Sequence, residues 1–285
     1  MVTSDMIHIA TVHWKDSRWI DAQLNFVRRH IPESYRVYAW LNDVPGDHKG
    51  RFYYSTTEPV VGHATKLNIL ADIIYFDSDR DRDLLVFLDG DAFPIGDAIG
   101  FARQRLERQP LVAVQRRENN RDIQPHPCFC VTTVGFWKNI GGDWKAGHTW
   151  LDCQQNLVTD VGGNLLGILE RHGLSWCPML RSNRTNLHPV CFGVYEDVVY
   201  HHGAGFRDPW TRHDDDAARS AIRWTWRWPV VSAIDRLSSC YNPDSLLQRI
   251  RVFVLEKPRL LKLREMSQNI YEMIVRDEQF HRAFA

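Results

Sequence analysis

A short apolar run at residues 84–88 (LLVFL) drops straight into Asp89-Gly90-Asp91. It has strand length and no helical stripe, so it predicts a strand buried on both faces. A strand of that kind restricts the chain to layered α/β architectures, in which helices cover the sheet. The two carboxylates that end the run cannot be solvated along the strand. They must lie in the crevice at the strand's carboxyl end, where open α/β sheets bind ligands. Spaced i and i+2 around a glycine, they can turn toward one point and hold a hard divalent cation through oxygen.

The flanking sequence supports the layered reading. Residues 7–12 (IHIATV) predict a first strand, and 14–29 carry Trp19, Ala22, Leu24, Phe26 and Val27 at helical spacing. A second strand is predicted over 35–41, a polar turn over 42–50, and a helix over 63–74 that carries Lys66. After the Asp-Gly-Asp triplet, 99–108 reads as helix and 111–115 as strand. Residues 129–137 (FCVTTVGFW) read as a further strand and 149–156 as a short helix. Residues 158–172 form a helix with Thr159 or Asp160 at its cap and Gly173 at its end. Residues 194–200 (VYEDVVY) read as a strand ending at His201-His202. No Walker A sequence and no Gly-x-Gly-x-x-Gly follows the first strand, so phosphates, if bound, are not cradled by a glycine loop there.

With 285 residues the chain has ample length for a sizeable core. Lys+Arg 35 against Asp+Glu 35 argues against a dedicated nucleic-acid binder. Six cysteines show no paired zinc spacing, no basic-then-apolar leader opens the sequence, and no apolar run reaches membrane-spanning length. A cytoplasmic protein with free thiols is expected. The division expected is a catalytic domain over 1–212 and a basic, mainly helical extension over 213–285 packed on it. That tail mixes Arg and Lys with Trp, Phe, Val and Leu. It could rest on the anionic inner face of a membrane as a peripheral contact, or form a flap against the domain or a second subunit.

A third protein ligand usually fixes the geometry of a cation held by two carboxylates. Imidazole suits Mn²⁺ better than Mg²⁺. His202, or its neighbour His201, ends another predicted strand and can reach the same crevice. Here the sequence resembles the GT-A-fold, metal-dependent glycosyltransferases. VFLDGDAFP is similar to their Asp-x-Asp element after a buried strand. HGAGFRDPW, from His202 to Trp210, resembles the His-x-x-Gly-x-x-Lys-Pro-Trp element of family 8, with Asp208 at the lysine position and Arg207 just before it. GHATKLNIL (62–70) resembles the helix that carries a donor-side lysine in that family. The likeness spans roughly 7 to 210. A family 2 likeness competes: TDVGGNLLGILERHGLSW followed by VYEDVVYHHG resembles an acidic residue opening a helix, then a strand ending in His.

The resemblance implies an α/β GT-A-like fold with a mixed central sheet flanked by helices and a helical C-terminal tail. It implies transfer of a sugar from a nucleotide-diphosphate donor, a UDP-sugar by preference, to a hydroxyl acceptor such as a saccharide or lipid-linked saccharide, with Mn²⁺ or Mg²⁺. Asp89, Asp91 and His202 would hold metal, Asp91 more firmly than Asp89, which could instead meet ribose. Thr11, Trp14, Asp16, Lys66, Asp89, Gly205 and Arg207 would contact donor. Asp160 would act as general base in an inverting transfer or stabilise positive charge in a retaining one, with Asp152 as an alternative base. Trp137, Trp144 and Trp150 would either stack an acceptor sugar or pack the core. The same carboxylates would also serve a nucleotidyltransferase or phosphohydrolase, and the fold would also serve a non-catalytic carbohydrate-binding protein. Donor sugar, acceptor, stereochemical outcome and oligomeric state stay open.

Overall fold

The computed structural model describes residues 5–119, 121–152, 155–188, 190–203 and 257–285. Within them, the central element is a seven-stranded mixed sheet in the order β10-β6-β7-β4-β1-β2-β3. Its strands are β1 (Ile7–Trp14), β2 (Tyr35–Asn42), β3 (Tyr54–Thr56), β4 (Leu84–Asp89), β6 (Leu111–Val114), β7 (His126–Thr133) and β10 (Cys177–Met179). All pairings are parallel except those of β7, which runs antiparallel to both β4 and β6. The α/β class read from the sequence is therefore present, with a mixed central sheet flanked by helices.

The run that predicted a doubly buried strand is one. Leu84, Val86 and Leu88 share one core cluster with Ile20, Leu24 and Val27 of α1 (Arg18–His30) and with α3 (Ala98–Leu106). Leu85 and Phe87 point the other way. They join Leu67, Leu70 and Ile74 of α2 (His63–Asp77), Trp137 of α4 (Val134–Ile140), and Leu165 and Leu169 of α5 (Gly163–Arg171). The period of two along β4 thus divides the core into two layers.

Three expectations of secondary structure change. The predicted strand over 129–137 ends at Thr133, whose hydroxyl accepts from the Phe136 amide and starts α4 instead. Trp137 then packs on Phe87 and Trp144. Residues 149–156 form no helix; β8 (Trp150–Leu151) pairs antiparallel with β9 (Leu157–Val158). The strand expected over 194–200 is a hairpin, β11 (Gly193–Tyr195) and β12 (Val199–His201), turned by Glu196 and Asp197 at positive φ.

β12 pairs antiparallel with β5 (Ala92–Pro94) in a second, three-stranded sheet. Against it packs α6 (Lys257–Arg276), whose Ile270 and Ile274 join Phe280 and Phe284 in a third apolar cluster with Trp19, Phe26, Phe93 and Tyr200. Cys128, Cys130 and Cys177 are free thiols. No helix among the described residues is long and apolar enough to cross a membrane.

Candidate active site at the carboxyl edge of the sheet

β1, β4 and β6 are mutually parallel, so their carboxyl ends share one edge, and antiparallel β7 contributes its amino end to that edge. This single topological fact gathers Trp14, Asp89, Arg116 and His126 around one cavity of about 250 Å³, together with Val12, His63, Gly90, Asp91, His201 and Gly203. Two larger surface cavities, of about 680 and 700 Å³, lie elsewhere and gather no comparable group.

The Asp89-Gly90-Asp91 turn is clamped from below. Gln23 on α1 donates through Nε2 to the carbonyls of Asp89 (2.7 Å) and Ala92 (2.9 Å). Gly90 lies so close to β1 that a Cβ there would stand 2.6 Å from the Val12 carbonyl oxygen and 2.9 Å from His13 Nδ1. Only glycine fits this approach, whatever its backbone angles.

β5 starts immediately after Asp91, and its pairing with β12 sets Ala92 opposite His201. His201 Nε2 lies 3.5 Å from Asp91 Oδ1 and 3.6 Å from Asp89 Oδ2. One ligand atom from each of the three residues falls within 4.8 Å of the others. The Gly203 amide donates to Asp91 Oδ2 (3.0 Å), and His63 Nε2 donates to Asp89 Oδ1 (2.9 Å). Burial pushes both carboxyls up, but His63 beside Asp89 and His201 beside Asp91 more than offset it and hold both below the usual carboxylate range. Two ionised carboxylates and an imidazole on one point form a donor set that fits Mn²⁺, and fits Mg²⁺ less well because of the nitrogen.

The imidazole at this point is His201, where the sequence reading set His202. His202 faces away from the cavity. Its ring is fully buried against Trp19 and Phe192. Nδ1 meets the Tyr200 hydroxyl (2.9 Å), and Nε2 meets Ser267 Oγ of α6 (2.7 Å). Burial lowers its pKa to about 3. Only its backbone touches the site, the amide donating to the Asp91 carbonyl (3.0 Å).

The other expected contacts divide. Trp14 lines the cavity and is 43% exposed. Thr11 does not reach it: β1 continues past residue 12, so Thr11 sits mid-strand, fully buried opposite Leu88. Asp16 is turned aside by a bidentate contact from Arg18. Lys66 is buried on α2 and donates to Asn42 Oδ1 at the end of β2; burial lowers its pKa. Gly205 and Arg207, with Asp208, Pro209 and Trp210, lie outside the described residues.

Asp160 precedes α5 without capping it: the N-cap is Gly162, and the Asp160 carboxylate accepts from the adjacent Val161 amide (2.7 Å). It does not line the cavity. Gly162, at φ +90°, presses its Cα against the Pro125 carbonyl, where a Cβ would stand 2.0 Å away. The next residue of that segment, His126, does line the cavity. Asp152 is taken up by its own turn, accepting from the Asn156 amide (2.8 Å). Trp137, Trp144 and Trp150 are all at most 5% exposed and pack the core.

His63, Arg116 and His126 were not singled out from the sequence. A signal existed for two of them. His63 opens the helix that carries Lys66, and Arg116 follows directly on a predicted strand, at the edge where Asp89 also emerges.

No known family model matches the chain, and no curated protein does. Among solved structures, it is similar to the glycosyltransferase GlyE of Streptococcus pneumoniae TIGR4, at 12% identity over 62% of this chain and 45% of that one, with a TM-score of 0.41. The catalytic domain of Drosophila β1,4-galactosyltransferase 7, solved with xylobiose, is 11% identical over 75% and 79%, with a TM-score of 0.40. The 1–349 fragment of S. aureus TarS is 8% identical over 48% of this chain, with a TM-score of 0.35, and this chain spans 49% of that fragment's length.

Proposed function

We propose that the protein transfers a sugar from a nucleotide-diphosphate donor to a hydroxyl acceptor, with a divalent cation at Asp89, Asp91 and His201. The observation that carries this reading is the convergence of those three side chains in a cavity at the carboxyl edge of a mixed α/β sheet. The Asp-x-Asp resemblance joins the same two carboxylates to that chemistry, and a UDP-sugar is the donor it favours. When bound, the cation supplies positive charge against a departing diphosphate.

The chain's own groups divide the remaining work. His63 fixes the rotamer of Asp89, and the Gly203 amide fixes that of Asp91. Trp14, exposed at the rim, offers a flat apolar face to the donor's base. Asp160 is our choice for the base that takes the acceptor proton or the anion that steadies the anomeric carbon. Gly205 and Arg207 remain donor contacts in this reading. A saccharide or lipid-linked saccharide is the acceptor, and the basic segment beyond residue 213 is the part suited to a membrane surface.

Calorimetric titration of UDP with and without Mn²⁺ is the direct test. UDP should bind only with the metal, and Asp91→Asn should abolish that dependence. Asp160→Asn should keep binding while turnover falls at least about a hundredfold, and NMR of the product anomer assigns the stereochemistry. Failure of both UDP and GDP to bind with metal would sink the proposal.

A further inference from the structure

Arg116 is a guanidinium only 7% exposed that forms part of the cavity wall. Its Nη2 donates to the Val190 carbonyl (2.9 Å), the guanidinium's one hydrogen bond among the described residues; Nε is buried without an acceptor there. Its carboxylate neighbour is Glu118, with Oε1 4.0 Å from Arg116 Nε. That same oxygen lies 4.0 Å from Arg181 Nη1 and accepts from the Tyr195 hydroxyl (2.6 Å). One carboxylate oxygen therefore lies 4.0 Å from each of two guanidiniums. A second acid, Asp122, is held by Asn119, and burial pushes its pKa up to about 7, which weakens it as a counter-charge. Among the described residues no carboxylate is hydrogen-bonded to this guanidinium, and a buried cation with an unpaired N–H gains from an anion that joins it.

His126 completes the wall. Its Nδ1 accepts from the Cys128 amide (3.1 Å), which leaves the proton of the neutral ring on Nε2. A ring nitrogen that carries a proton donates and does not ligate a metal. His126 and His201 stand 6.0 Å apart, centroid to centroid, in one cavity with opposite chemistry: one suited to a cation, one to an anion.

We propose that Arg116 and His126 form a fixed oxyanion subsite facing the Asp89–Asp91–His201 cluster, and that it takes an anionic oxygen of the donor. The proposal rests on the sugar-transfer reading for its ligand. At about 250 Å³ the cavity holds roughly eight waters' volume. It therefore encloses an anionic group and leaves most of a nucleotide-sugar outside. That group is a phosphoryl oxygen of the diphosphate or a carboxylate on the sugar. Both present the same oxyanion to a guanidinium and an imidazole N–H.

The experiment is calorimetry with Mn²⁺ and four probes: pyrophosphate, UDP, UDP-glucose and UDP-glucuronate. Arg116→Gln should weaken binding about 10- to 100-fold, and Arg116→Lys, which keeps the charge but loses the fork, should weaken it less. A loss on pyrophosphate and UDP alike assigns the subsite to the diphosphate; a loss on UDP-glucuronate alone assigns it to a sugar carboxylate. Unchanged affinity of Arg116→Gln for every probe the wild type binds overturns the subsite and leaves sugar transfer standing. Wild type that binds pyrophosphate but no nucleotide, with Arg116→Gln weakened, overturns sugar transfer and keeps the subsite. Wild type that binds none of the four overturns both. Should Arg116→Gln fail to fold, the Arg116 Nε–H cross-peak of wild-type protein, recorded with Mg²⁺ and the tightest probe, decides: a shift supports the contact, and an unmoved peak overturns it.

Discussion

One residue separates His201 from His202, and the difference is the whole of their chemistry. Neighbours on a strand face opposite sides, so when β12 pairs with β5 one ring enters the cavity and the other enters the apolar cluster. The sequence places a histidine pair at a strand end but carries no phase for it; the phase comes from the register His201↔Ala92, a contact over a hundred residues apart. Asp89 and Asp91 were legible because the strand before them is unambiguous. Gly90 was legible only as a spacer, and the reason no other residue fits is the nearness of β1. Gly90→Ala should cost about 2 kcal/mol through overpacking, read as a lower urea midpoint with an unchanged slope; full stability would mean that β1 can yield. His13, beside it, is fully buried near Gln23, and burial lowers its pKa to about 4. The unfolded chain takes up this proton below about pH 6.5 and the folded one only near 4. The contribution is therefore complete above 6.5, is lost as pH falls toward 4, and is constant below. Between pH 7 and pH 5 it amounts to roughly 2 kcal/mol. His13→Leu should remove that share of the acid sensitivity; equal losses in variant and wild type would contradict it.

Among the elements, those with a strong period were readable and those that depend on a partner were not. β1, β2, β4 and α2 stand within a few residues of where the pattern predicts them. α4 was hidden inside a strand-like string because Val134 to Trp137 are poor helix formers; packing of Trp137 on Phe87 and Trp144 outweighs that preference. The hairpin β11–β12 was hidden because its turn uses Glu196 and Asp197 where glycine or asparagine would have announced it. The sequence predicts a basic, helical tail packed on the domain but does not show which of its side chains turn inward. Ile270 and Ile274 are buried, and Ser267 reaches the one side chain of the hairpin's end that turns away from the cavity. Ser267→Ala would leave His202 Nε2 buried and unpaired, at a cost of about 1–3 kcal/mol. The amides of His202 and Gly203, both bonded to Asp91, should then exchange with deuterium faster than in wild type. Unchanged exchange would mean that the helix does not brace the site.

For the molecule as a whole, the sheet acts as a collector. Side chains at or just past the ends of β1, β4, β6 and β7 meet because those ends share one edge, and β12 of the second sheet adds His201; the lining residues span 12 to 203 in sequence. Fold class was legible because periodicity is local. Site composition was only partly legible because it depends on strand order, which is not. α6 adds a matter of timing. Residues 204–256 separate it from β12, and a ribosome adding about 5–20 residues per second takes roughly 3–10 s to make that stretch. For that interval a nascent chain holds Trp19, Phe26, Phe93 and Tyr200 without the helix that covers them. The floor beneath Asp89, Asp91 and His201 is thus finished only after every strand that carries them has been made.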